Sequence, residues 1–350
     1  MDVVALVKDH LRQYPGMEPQ DIIKLIYQNE FGGGHMIDSA ANSLQRLQKE
    51  CLTLNNSGLT SEEIGENLIR VNLANLSSIE LLTLNQIFVA SSNLQTGNLV
   101  SFIEKLNLIK QACKNNDINY DAKLFVTKLE EYEQLNFPPI SHSNSYRQTY
   151  QPHYRVVDKR YFKYFELIKK INEQLLNKDT LIIAIDGKCG AGKSFLAELL
   201  QSIYQANLFK MDDFFLRPFQ RTKERLAKPG GNVDYERFKD TVVDPLVKKE
   251  DINYQRFDCS KMALANDIKT IPVNKINIIE GTYSLHPYFG KYYDFAIGLD
   301  IDETMQATRI LNRNGQTMYE KFKNIWIPLE NKYFIAYSIF DQVDYLYHVL

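Results

Sequence analysis

At 350 residues the chain is too long for one ordinary hydrophobic core and suits two domains. Hydrophobic residues make up 44% and charged residues 24%, the balance of an ordinary globular protein. A net charge of −2 leaves no electrostatic footprint for nucleic acid or an anionic membrane as the main partner.

The first stretch, MDVVALVKDHLRQYPG, has charges spread through it and lacks the apolar core of a signal peptide. Apolar residues fall at helical spacing over 2–14, 18–30, 38–54, 78–94 and 97–115, and a further helix fits 120–134. Pro15 and Gly16 separate the first two helices, and Gly32-Gly33-Gly34 stops the second. Residues 1–135 therefore read as an all-α domain whose role the sequence does not give. Glu30, Phe31 and His35 set an acid and an imidazole beside the glycines; a helix stop is the simpler reading, a second ligand site the alternative.

From 136 to 157 the periodicity breaks down in NFPPISHSNSYRQTYQPHYRVV, and the connection between domains is expected there. Its Tyr146, Arg147, Tyr150, His153, Tyr154 and Arg155 suit either stacking on a base and holding an anion, or plain packing. A helix at 159–177 leads into a second domain, 158–350. There the apolar run 181–185 reads as a strand buried on both faces, followed by a helix at 194–205, a short strand near 207–211 and further strands at 276–279 and 295–301. Strands alternating with helices predict an α/β domain with a mostly parallel sheet.

No window reaches the roughly 18 apolar residues of a membrane span. Cys51, Cys113, Cys189 and Cys259 are scattered, with no CxxC pair and no zinc spacing. A cytoplasmic address with reduced thiols is expected by elimination.

Directly after the first of these strands stands Gly187-Lys188-Cys189-Gly190-Ala191-Gly192-Lys193-Ser194, which fits GxxxxGK[ST]. Glycines let the backbone wrap tightly and turn successive N–H groups toward phosphate oxygens, and the following helix adds the positive end of its dipole. Lys193 suits the β- and γ-phosphates of ATP, and the Ser194 hydroxyl suits Mg²⁺. The strand before and helix after are the context that an accidental match lacks. Cys189 reads as a filler at a position that tolerates many side chains.

Two acidic positions extend the site. Asp212, in Lys210-Met211-Asp212-Asp213-Phe214, follows a strand on the edge where α/β sheets bind ligands, and suits a general base; a turn aspartate is the bland alternative. Glu280 directly follows an apolar strand and suits a metal-organising carboxylate, with a strand-end salt bridge as the alternative. Arg309 and Arg313, at i and i+4, fall on one face of an expected helix and suit charge neutralisation over a phosphoryl group. Gly230-Gly231-Asn232 reads as a turn or a hinge. Trp326 reads as packing, the usual role of a lone tryptophan.

Taken together, GKCGAGKS, MDDFFLRP, GGNVDYERF, YQRFDC, IIEGTYSLHP and RILNRNG resemble the uridine kinase family and its relatives phosphoribulokinase, pantothenate kinase and nicotinamide riboside kinase, over about residues 180–345. NEFGGGH and SHSNSYRQTYQPHYRVV are similar to segments of bacterial uridine kinase-like chains. The resemblance implies a P-loop NTPase domain and Mg-ATP-dependent phosphorylation of a small molecule's hydroxyl. It places Asp212 at the base position, Asp234 where sugar hydroxyls bind, Glu280 at the Mg²⁺-associated glutamate, and Arg309 and Arg313 in a closing lid. Tyr254 and Asp258 fall near the acceptor strand and loop. Phe257-Asp258-Cys259-Ser260-Lys261-Met262 lacks the histidine with which uridine kinases help recognise the pyrimidine, so pyrimidine specificity is not implied. The competing reading is an ATP-binding regulator whose helical domain engages a protein partner.

Overall fold

The computed structural model describes residues 2–56, 58–94 and 97–349. Asp2 opens the first helix, its Oδ1 accepting the Val4 N–H at 2.9 Å, the bond that makes aspartate a good N-cap. Helix α1 (Val3–Gln13) is followed by α2 (Pro19–Phe31), whose first position is a proline, where a missing N–H costs nothing. Then come α3 (Ala40–Cys51), α4 (Ser78–Leu94), α5 (Leu99–Lys114) and α6 (Ala122–Gln134), within a few residues of the expected helices. Leu6, Val7, Ile22, Ile26, Phe102, Ile109, Phe125 and Leu129 interlock as a core on their apolar faces.

The chain divides into two compact units, one up to Asn172 and the other from Glu173. Besides its helices the first unit holds a three-stranded antiparallel sheet that the sequence reading did not anticipate: β1 (Thr60–Glu63), β2 (Leu68–Asn72) and β3 (Tyr154–Asp158), in that order. The expected connection at 136–157 folds instead as part of this unit, as helix α7 (Asn144–Tyr150) and then β3. It is anchored by buried Asp21, whose Oδ1 accepts the Ser143 N–H at 3.0 Å and whose Oδ2 accepts the Ser143 hydroxyl at 2.7 Å. The helix expected at 159–177 is two, α8 (Lys159–Phe162) and α9 (Phe165–Leu175), and the division between units falls inside α9 rather than at 158. The physical reason is Asn172, whose Nδ2 donates to Thr83 Oγ1 and Gln86 Oε1, each at 2.9 Å, tying most of α9 to α4.

In the second unit, β4 (Leu181–Gly187), β5 (Asn207–Lys210), β6 (Ile276–Glu280), β7 (Phe295–Ile301) and β8 (Tyr345–Val349) form one parallel sheet. Their order is β8-β7-β4-β6-β5, so β4 lies at the centre, with Ile183 opposite Ile278 on one side and Ile185 opposite Ile297 on the other. Burial on both faces explains the unbroken apolar run of β4. Helix α10 (Lys193–Tyr204) follows β4 directly. Helix α11 (Glu303–Lys321) is broken at Gly315, which takes φ 74° and ψ 170°, and α12 (Ile327–Tyr337) follows a wider turn at 322–326. No helix among the described residues is long and apolar enough to cross a membrane.

Candidate active site

The loop between β4 and α10 is shaped by its glycines. Gly187 has φ 152°, and a Cβ there would lie 2.3 Å from the Leu299 carbonyl oxygen on the neighbouring strand, so no larger residue fits. Lys193 folds back over the turn, Nζ donating to Gly187 O at 2.8 Å and Lys188 O at 3.1 Å. Its charge is thereby held at the mouth of the loop. Lys188 points elsewhere, to Asp300 Oδ1 at 2.7 Å, so it contributes backbone rather than charge.

The loop opens on a cavity of about 450 Å³. Cys189, Gly190, Gly192, Lys193 and Ser194 line one side, Asp212 and Glu280 another. The strand ends place these groups: Glu280 is the last residue of β6, and Asp212 sits in the short turn that follows β5, paired beside β6. Ser194 Oγ donates to Glu280 Oε1 at 3.1 Å. Burial pushes the Glu280 carboxyl above its usual range, opposed by the Lys193 charge and reinforced by that of Asp212. Arg313 also faces the cavity, while Arg309 Nη1 reaches Gly190 O at 3.4 Å.

The three acceptor residues of the sequence reading are not brought to this cavity. Asp234 is buried as the N-cap of the short helix 235–238, accepting the Arg237 N–H at 3.2 Å and the Gln220 side-chain amide at 3.0 Å. Asp258 caps a turn by accepting from Ser260 N and Oγ at 2.9 and 2.6 Å. Tyr254 donates to Asp213 Oδ2 at 2.6 Å, beside Asp212 rather than in the cavity. Asp234 and Asp258 hold local backbone, and Tyr254 holds the turn after β5.

Other residues reach the site without having been singled out. Phe195, Phe215, Asn232, Val233, Thr282, Tyr283, Phe322, Trp326 and Glu330 complete the lining. Trp326 corrects the packing expectation: it faces the cavity with its ring edge-on to Phe322, centroids 4.6 Å apart. Asn232 Oδ1 is buried there with no hydrogen-bond partner among the described residues. The Cys189 thiol is pushed up by burial, in keeping with an inert filler. Glu330 accepts the Cys189 N–H on Oε2 at 2.9 Å, and burial pushes its carboxyl up against the opposing Lys193 charge.

Asp186, one residue before the loop, is fully buried and accepts four bonds: Gly187 N at 2.7 Å, Tyr283 N at 3.2 Å, Leu285 N at 3.0 Å and the Tyr333 hydroxyl at 2.8 Å. Burial nevertheless raises its carboxyl to about 6. The signal was present in the sequence, as a carboxylate at the end of an otherwise apolar strand.

In the first unit, Glu30 is taken up by Asn98 N, Ser101 Oγ and Lys105 Nζ at 2.7–2.9 Å, and His35 packs edge-on to Tyr27. The two form no joint site. Tyr146, Tyr150, His153 and Tyr154 line a cavity of about 370 Å³ with Tyr14 and Glu62. Beneath it Arg70, 1% exposed, pairs with Glu62 at 2.9 Å. Arg147 donates to Asn144 Oδ1, while His153 and Arg155 both engage Glu50.

No protein-family model matches the chain, and no curated protein matches it. Among solved structures, the chain is similar to a possible uridine kinase from Bacillus stearothermophilus, at 18% identity and a TM-score of 0.38, over 52% of this chain and 99% of that one. It is similar to TT1252 from Thermus thermophilus at 19% identity and a TM-score of 0.27, over 49% of this chain and 89% of the other. Deoxyadenosine kinase from M. mycoides is similar at 15% identity and a TM-score of 0.24, over 49% and 90%. Likenesses this distant add no weight, and the fold is read from the molecule itself. A central β4 flanked by β6 and β7, feeding a glycine loop and α10 on a parallel sheet, makes the second unit a P-loop NTPase α/β fold.

Proposed function

We propose that the chain is a Mg-ATP-dependent kinase that transfers the γ-phosphoryl group to a hydroxyl of a small metabolite. One observation carries this reading: Lys193, the Ser194–Glu280 pair and Asp212 all face a single cavity. A nucleotide binder without chemistry has no use for an exposed carboxylate opposite its phosphate loop.

The donor set suits Mg²⁺. Ser194 and Glu280 offer hard oxygens, and no group of three or more His, Cys, Asp or Glu gathers as a metal cage among the described residues. Mg²⁺ commonly takes one or two protein oxygens and completes its shell with phosphate and water. Bound there, it would neutralise charge on the phosphates. The loop amides and Lys193 hold the phosphate chain, and Arg313 faces the same space with a fixed positive charge. Asp212 takes the proton of the attacking hydroxyl. Phe195, Phe215, Phe322 and Trp326 give the cavity an aromatic lining that lowers the polarity around the transfer. A nucleoside or similar hydroxylated compound is the acceptor we favour, since a planar ring matches those faces.

Asp212→Asn tests the assignment. MgATP affinity by calorimetry is expected to stay unchanged, while turnover with a panel of hydroxylated metabolites, read by mass of the phosphorylated product, falls by about 10²–10⁴-fold. Undiminished turnover would place the base elsewhere. If the wild-type protein binds MgATP but phosphorylates no compound, the regulator reading takes over.

A further inference from the structure

The backbone of Cys189, in the middle of the phosphate loop, is gripped from both sides by the C-terminal part of the second unit. Its carbonyl accepts Gln306 Nε2 of α11 at 2.9 Å, and its N–H donates to Glu330 Oε2 of α12 at 2.9 Å. Between these two grips runs the segment that carries the Gly315 break, Phe322 and Trp326. Trp326 and Glu330 stand at i and i+4, so they share one face, and both line the cavity.

Glu330 is an expensive residue for mere packing. It is 8% exposed, and its other oxygen lies 3.4 Å from Thr282 Oγ1, a hydroxyl whose nearer acceptor is Gly187 O at 3.0 Å. Its donors are the N–H and the thiol of Cys189. Even with these and the Lys193 charge, burial keeps the carboxyl above its usual range, so an apolar side chain of similar size would fill the space at lower cost. What an apolar residue cannot do is hold a loop amide.

Resting on the kinase reading above, we propose that Glu330 is a positioning residue: its bond to the Cys189 N–H makes the Phe322–Trp326 wall of the acceptor side follow the state of the phosphate loop. A loop that tightens around phosphates moves Cys189; Cys189 moves Glu330; one helical turn away, Trp326 moves with it. Filling the loop thus sets the aromatic wall before the acceptor arrives.

Trp326 is the only tryptophan in the chain, so tryptophan emission, excited beyond the absorption of the tyrosines, reports on this wall alone. The experiment adds MgADP to the full-length wild type, E330Q and E330A, reading binding by calorimetry and the wall by tryptophan emission. Wild type and E330Q, whose amide oxygen still accepts the Cys189 N–H, are expected to bind MgADP and to change emission together. E330A is expected to bind MgADP no more than about tenfold more weakly, the worth of one such hydrogen bond, while losing most of the emission change. An E330A response equal in amplitude to wild type overturns the proposal, as does a wild type that binds MgADP silently. Absence of any MgADP binding to wild type in calorimetry defeats the nucleotide-site reading itself and the proposal with it. Should E330A fail to fold by circular dichroism, E330D is read in its place, since withdrawing the carboxylate by one methylene breaks the same bond.

Discussion

The Tyr254 hydroxyl donates to Asp213 Oδ2 at 2.6 Å while accepting the Lys210 N–H at 3.1 Å. With Phe209 and Phe214 packed on its ring, at centroid distances of 5.5 and 5.6 Å, Tyr254 clamps the turn that carries Asp212. Tyr254→Phe keeps the ring and removes the clamp. Stability is expected to fall by about 2 kcal/mol, the scale of a hydrogen bond to a charged group. Turnover falls with it while MgATP affinity holds. Chemical denaturation and calorimetry on the same variant check both halves.

Asp186 gives the second unit an unusual response to acid. Its carboxyl titrates near 6 when folded and at an ordinary 3.8 when unfolded. Between those values the folded chain holds a proton that the unfolded chain has released, so this group's contribution to stability falls as pH rises from about 4 to about 6. The loss reaches about 3 kcal/mol. Asp186→Asn removes that component and leaves at least one of four donors without an acceptor, so it is also expected to lower stability at every pH. Denaturation of both proteins at pH 4 and 6.5 reads the difference directly.

His142 acts with the opposite sign in the first unit. Its Nδ1–H donates to Asp21 Oδ1 at 2.8 Å, and Nε2 accepts the Tyr154 hydroxyl at 2.6 Å. That hydroxyl in turn accepts Gln28 Nε2 at 3.2 Å, which turns Gln28 Oε1 toward Arg70 at 2.8 and 3.0 Å. The relay is complete only with a neutral imidazole. Burial lowers its titration from 6.5 to about 4, so the unfolded chain takes up the proton first on acidification. Stability from this group is whole above pH 6.5 and lost as pH falls toward 4, by about 3 kcal/mol. His142→Gln is expected to flatten that dependence, measured by the unfolding of the first unit across the same pH range.

The parts of the fold that were legible share one cause. β4, β6 and β7 are buried on both faces and show as mostly apolar runs, and the loop after β4 shows as glycines. β1, with the sequence TSEE, and β8, with half-exposed aromatics, have no such run; β3 lies in a stretch of Pro, Ser and Tyr. β3 and β8 owe their pairing to strands far along the chain, β2 and β7, and β1 pairs with β2 next to it without any apolar run of its own. The site divides the same way. Lys193 and Ser194 open α10 after the glycine loop, Asp212 and Glu280 sit at strand ends, and all four could be read from their neighbours. Glu330 meets Cys189 across 141 residues of sequence, and Trp326 arrives with it, so no local spacing announces either.

The strand order has a consequence for synthesis on the ribosome. β4 emerges early in the second unit, yet both of its sheet neighbours, β6 and β7, are translated roughly a hundred residues later. Until they arrive the most apolar strand of that unit has neither edge satisfied, and the Lys188 amide lacks its acceptor, Leu299 O at 3.2 Å. Pairings this distant close slowly and leave sticky edges exposed meanwhile. The first unit, finished by then, is the natural early folder, and nascent chains stalled before residue 295 are the ones a chaperone must shield.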